Sequence, residues 1–201
     1  MAVIPLRQIK PEVLTNFLKN KIEPLNHESY GNRYRAAVRL IDDTYLPCVV
    51  FQSKKAQVDL ALRRFQQLRD QSDQYRAVVE VFAAGGSRIS DYQIKAIELS
   101  PFAWPIQILS TIHGETIMSW TAFVAEMKDG TKYSYGTSFS VEFFDLPHGY
   151  SHADIAKIHS GMVYSQELGL RDFSMELQTQ IDAYREKPFF TCYLKELSDA
   201  I

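Results

Sequence analysis

The chain has 201 residues, of which 46% are hydrophobic and 23% charged, and a formal net charge of -2; this is the balance of an ordinary globular protein and gives no reason to expect a polyanionic partner such as nucleic acid. That length allows a sizeable core and sets the expectation of a single domain over residues 1–201. No apolar run approaches the roughly 20 residues of a membrane span, MAVIPLRQIKPEV holds no signal-peptide core, and Cys48 and Cys192 lack C-x-x-C spacing, so a cytoplasmic protein with two buried thiols and no membrane partner is expected.

After Pro11, the residues Val13, Leu14, Phe17 and Leu18 recur at helical spacing until Pro24, predicting a short amphipathic helix. RYRAAVRLI, the pair Asp42 and Asp43, and YLPCVVF read as two strands about a turn, with Pro47 placing the second strand's start late or at an edge. SKKAQVDLALRRFQQLRD carries Val58, Ala61, Leu62, Phe65 and Leu68 on one stripe behind an N-cap at Ser53, a central helix. QYRAVVEVF, the turn at Gly85 and Gly86, and YQIKAIEL read as a hairpin. SPFAW and Pro105 interrupt the pattern before a strand expected around Ile106 to Ile112.

The turn HGE leads into the strongest hairpin signal, with Asp129 and Gly130 as the central residues of a type I′ turn. That register pairs Val124 with Tyr135, Ala122 with Thr137 and Trp120 with Phe139 on an apolar face. It pairs Phe123 with Gly136, Thr121 with Ser138, Ser119 with Ser140 and Ile117 with Glu142 on a polar one, the Phe123 ring covering the glycine. Further on, Tyr150, Ser151, Asp154 and Ile155 have the spacing of a capping box with a hydrophobic staple and predict a helix carrying Ile155 and Ile158. Another helix is expected from about Asp172 to Arg185, and a last short one through Phe190, Tyr193, Leu194 and Leu197 after Pro188.

The fold class that results is α+β: a single domain, mainly antiparallel twisted sheet built from hairpins, covered by N-terminal, central and C-terminal helices. AAVRLIDD at 36–43 and AFVAEMKD at 122–129 echo each other, and shared hairpin chemistry accounts for that echo without a duplication.

Three stretches are candidates for function. Glu142, Asp145, His148 and His152 bring together the residue types of a hydrolytic or metal-assisted site. His152 and His159, seven apart on a helix, would however stand ~10 Å apart along its axis, so no metal or cofactor is expected and a strand handing over to a helix is the simpler reading. Ser53, Lys54 and Lys55 at a helix start, with Arg39 on the preceding strand, form a basic region able to hold a phosphorylated ligand; a solvated face is the alternative. Phe102 and Trp104 in SPFAW could present an aromatic interaction surface. AAGGSRIS lacks both the Walker Lys-Ser/Thr pair and G-x-G-x-x-G, and reads as a turn. The function expected is a non-catalytic binding or protein-interaction module, with a protein partner or its own copy; the alternatives are a small enzyme using the 142–152 region and a binder of a phosphorylated ligand at Ser53–Lys55.

Overall fold

A computed structural model describes residues 8–27, 31–55, 87–116, 120–137, 143–174, 177 and 184–197. In chain order the elements are α1 (Pro11–Lys21), β1 (Leu25–His27), β2 (Gly31–Leu40), β3 (Tyr45–Ser53), β4 (Arg88–Ile89), β5 (Ile94–Leu99), α2 (Ile106–Leu109), β6 (Thr121–Met127), β7 (Lys132–Thr137), β8 (Ile155–Ser160), β9 (Met162–Ser165), β10 (Gly169–Asp172), β11 (Tyr184–Arg185) and β12 (Phe190–Leu194). The chain gathers into two compact units, one of Met1–Pro101 and Phe189–Ile201, the other of Phe102–Pro188. The sheets are mainly antiparallel, and no described helix is long and apolar enough to cross a membrane.

In the first unit, α1 begins at Pro11, whose fixed φ suits the first helical position. It carries Glu12 in its first turn and Lys19 and Lys21 in its last, complementing the helix dipole, and buries Leu14 and Leu18. The sheet order is β1-β2-β3-β12-β4, with β5 also on β2. Pro47 lies inside β3 rather than at its start. The β2/β3 register shifts between Ala36 and Val38, which places Pro47 in a bulge, and β12 joins β3 only from Val49 onward, so its missing N–H interrupts no ladder there. Tyr34, Ala36, Val38, Val49, Phe51, Ile94, Cys192 and Leu194 pack with Leu14, Leu18 and Leu197 into one buried cluster.

The second unit has a four-stranded sheet in the order β11-β7-β6-β8 and the separate pair β9-β10. The β6/β7 hairpin exists, but its register is one residue from the type I′ expectation: Phe123 lies opposite Tyr135, Ala122 opposite Gly136 and Glu126 opposite Lys132. The Gly130 N–H donates to the Met127 carbonyl (2.9 Å) and the Met127 N–H to the Thr131 carbonyl (2.8 Å), with Gly130 at φ +87°. This is a three-residue loop, a type I turn closed by a left-handed glycine, and it needs no positive φ at Asp129. The slip sorts the side chains anew. Phe123 stacks on Tyr135 (centroids 5.1 Å, 7° between planes), and buried Trp104 meets both rings edge-on. On the opposite face Ser134 donates to the Tyr164 carbonyl (2.9 Å) and accepts from the Tyr164 N–H (2.8 Å), tying β9 across β7. The aromatic covering Gly136 is therefore Trp120, not Phe123: a Cβ on Gly136 would lie 1.9 Å from the Trp120 ring.

Other expectations also change. Ile106–Leu109 is one short helix after Pro105, not a strand. Ser151 does form a capping box with Asp154, but it opens a single 3-10 turn, His152–Asp154, after which the chain runs as β8, β9 and β10. β12 and a 3-10 turn at Lys195–Leu197 stand where the last helix is expected, and β11 occupies the end of the helix placed at Asp172 to Arg185. The central helix beyond Lys55, the strand QYRAVVEVF and most of that C-terminal helix lie outside the described residues.

Adding a methyl at Gly136 forces the Trp120 ring out of its seat. Gly136→Ala is expected to lose about 1–3 kcal/mol in urea denaturation, while Gly136→Ala in a Trp120→Ala background loses much less; equal losses in both backgrounds would show that the ring does not cover the glycine.

Candidate functional site

Of the four residues at 142–152, Glu142 lies outside the described residues. The Asp145 carboxylate is held by the Lys187 ammonium (2.6 Å), and the Asp145 carbonyl accepts the Tyr135 hydroxyl (3.1 Å). His148 is exposed in a turn before left-handed Gly149. His152 sits in the 3-10 turn with its ring edge-on to Trp104 (6.0 Å). Among the described residues no group of three or more His, Cys, Asp or Glu could hold a metal ion.

Ser53 ends β3 and is buried, with Lys54 and Lys55 exposed just beyond it. Arg39 is at the other end of the hairpin, opposite Tyr45, where it donates to the Asp43 carbonyl (3.1 Å). Eight residues of strand at about 3.3 Å each separate Tyr45 from Ser53, or ~26 Å, so Arg39 does not join Ser53, Lys54 and Lys55 in one pocket. Phe102 is half-buried with the Lys187 ammonium over its ring (4.8 Å), and Trp104 is fully buried. Trp104 is therefore a core residue and not an exposed aromatic, filling the space between Phe123, Tyr135 and Phe144, while Pro101 is exposed.

The structure brings together a cluster that sequence spacing does not reveal. The register of β6 against β7 and β8 places Glu126 beside Lys132 on one neighbour and near His159 on the other. The Glu126 carboxylate meets His159 Nε2 at 2.7 Å and the Lys132 ammonium at 3.3 Å. The His159 hydrogen bond, followed by that of Lys132, holds the Glu126 carboxyl below the usual range. The arrangement orients an imidazole and neutralises a carboxylate, but presents no nucleophile. Ser160, next along, donates to the Thr111 carbonyl (2.9 Å) and accepts from the His113 N–H (3.2 Å), and the His113 ring turns to that same carbonyl (2.8 Å). Its hydroxyl is spent on backbone.

Three further carboxyls are lowered by their local bonds: Asp42 by the Thr44 N–H, Asp129 by the Thr131 N–H and then the Tyr150 hydroxyl, and Asp154 by the Ser151 hydroxyl and N–H. The Cys192 thiol is pushed up to about 12, first by burial and then by the charge of Asp91. It pairs with Phe51 on β3, three residues from Cys48, and both cysteines are free.

No protein-family model, curated protein or solved structure matches the chain.

Each lowered carboxyl binds its proton more weakly in the fold than in the unfolded chain, so the unfolded state takes up more protons as the pH falls. The stability these groups add is complete above the ordinary carboxylate range at about pH 4 and drains away as the pH drops through it toward their lower folded values. Thermal melting is expected at a lower temperature at pH 3 than at pH 7, with a shallower acid decline in Asp129→Asn. Neither buried cysteine is expected to react with iodoacetamide at pH 8 until denaturant is added; labelling of the native chain at Cys192 would contradict its burial.

Proposed function

We propose that the protein is a non-catalytic binding module that takes up an extended segment of a partner protein along β5. The observation that carries this reading is the exposure of two large apolar side chains at the ends of that strand, Tyr92 (62%) just before it and Leu99 (63%) at its last residue. Among the described residues β5 pairs with β2 alone, and Ala96 and Glu98 are exposed between those ends. An unpaired strand edge offers backbone donors and acceptors to an incoming strand, and flanking apolar groups supply the area that makes such pairing selective. The Ile9 N–H already donates to the Ile94 carbonyl (2.9 Å), so the start of the strand is occupied by the chain itself and the remainder, toward Leu99, is the part on offer.

The imidazoles and carboxylates suited to chemistry support the non-catalytic side of the reading, since the bonds of Asp145, His159, Glu126 and Ser160 are all to structural partners. A phosphorylated-ligand role would rest on Lys54 and Lys55 without Arg39.

Panning a library of displayed extended peptides on the intact protein should yield binders whose affinity falls at least tenfold with Leu99→Asp and with Tyr92→Ala. A concentration-dependent doubling of mass in light scattering, abolished by Leu99→Asp, would make the partner a second copy. Binders indifferent to both substitutions, together with a mass that stays monomeric, would refute the use of this edge.

A further inference from the structure

We infer that the chain is a nested duplication, in which the second unit is a copy of the first inserted between its third and fourth strands. Both sheets contain the same four strands in the same order and directions, β12-β3-β2-β5 in one and β11-β7-β6-β8 in the other. In each, a hairpin comes first, the third strand lies antiparallel to the hairpin's first strand, and the fourth lies parallel to its second. A parallel strand placed next to a hairpin in this way is not a by-product of hairpin formation, because it requires a long return connection.

The agreement extends to single residues. β2 pairs with β5 as Ala36 to Leu99 and Arg39 to Ala96, then shifts by one to pair Leu40 with Ile94. β6 pairs with β8 as Phe123 to Ser160 and Glu126 to Lys157, then shifts at the same point to pair Met127 with Ile155. The fourth strands enter at the same height, Phe190 opposite Val49 and Tyr184 opposite Tyr135, the β2/β3 and β6/β7 partners of Ala36 and Phe123. A bulge can fall at any rung, so its coincidence is independent of the strand order.

The turns repeat bond for bond. In the first hairpin the Asp43 N–H donates to the Leu40 carbonyl (3.0 Å) and the Leu40 N–H to the Thr44 carbonyl (2.8 Å), as Gly130 to Met127 and Met127 to Thr131 do in the second. Asp42 accepts the Thr44 N–H (3.0 Å) where Asp129 accepts that of Thr131 (2.9 Å), and the next residue is left-handed in both, Asp43 at φ 68° and Gly130 at φ 87°. A 3-10 turn with a capping box then leads into each third strand, Ser90 with Gln93 and Ser151 with Asp154. Each of these turns accepts a backbone bond from the hairpin loop, Ile41 to the Gln93 carbonyl (2.9 Å) and Lys128 to the Asp154 carbonyl (2.8 Å). The sequence echo at 36–43 and 122–129 is therefore displaced by one: Asp42 and Thr44 correspond to Asp129 and Thr131.

One cluster has drifted in a compensated way. The positions of Glu126, Lys132 and His159 are those of Arg39, Tyr45 and Glu98 in the first unit. There the Arg39 guanidinium lies 5.5 Å from the centre of the Tyr45 ring, and a hydrogen bond to Glu98 helps to raise the Tyr45 hydroxyl, after burial. The two first strands thus carry opposite charges, and the third strands carry Glu98, bonded to Tyr45, in one unit and His159, bonded to Glu126, in the other.

The test exchanges equivalent parts in the full-length chain. Replacing Ser151–Ser160 by the sequence of Ser90–Leu99 should leave a folded protein with a cooperative thermal transition, whereas the same ten residues displaced by one should not. Glu126→Arg should lower Tm by about 2–4 °C in the natural chain and raise it in the graft. Independently of the graft, His159→Glu alone should lower Tm, and the triple variant Glu126→Arg, Lys132→Tyr, His159→Glu, which carries the first unit's set, should recover most of that loss. A displaced graft as stable as the aligned one, or a triple variant no better than His159→Glu alone, would overturn the duplication.

Discussion

A carboxylate accepting the backbone N–H two residues ahead of it sets the register of the β2/β3 and β6/β7 hairpins. Asp42 and Asp129 do this in the loops just after β2 and β6, and the residue that follows each is left-handed. Together they close a three-residue loop instead of a two-residue one. Because side chains alternate along a strand, that single extra residue decides which set of groups meets across the ladder. It is why Phe123 finds Tyr135 and the aromatic core around Trp104 can form, why Gly136 comes under the Trp120 ring, and why Glu126 stands between Lys132 and His159.

Hairpins, the first helix and the predominance of antiparallel pairing were readable from alternation and turn residues. The C-terminal region was not, and the reason is specific. Ile155 and Ile158 are three apart, a helical spacing, yet they pair with Met127 and Ala125, which share a face of β6; the intervening bulge adds the third residue. A capping box ahead of them reinforced the helical reading, although such a box secures only one turn, and one 3-10 turn is what it secures. Likewise, Asp-Gly is the signature of a type I′ turn, but it serves a type I turn plus left-handed glycine equally well, and the bonds of Asp129 favour the latter.

The candidate sites show the same limit. Residues near in sequence, such as Asp145, His148 and His152, suggested a cluster, but Asp145 is ion-paired with Lys187 and His148 lies exposed in a turn. Glu126 and His159 are 33 positions apart and join only through the register of two strands, which no local pattern encodes. Trp104, flanked by prolines and a serine, looked like an exposed loop aromatic, whereas its burial follows from the ring faces that β6 and β7 turn toward it.

Nesting also dictates an order of events. The first unit's fourth strand follows the whole of Phe102–Pro188 in the chain, so Val49 must wait for Phe190 across a separation that no hairpin approaches. On a ribosome, the inserted unit can therefore finish its own sheet while its host still lacks β12. For that interval β3 holds an apolar row of Val49 and Phe51 with an unfilled rung beside it, so the unit whose synthesis begins first is the last to be sealed.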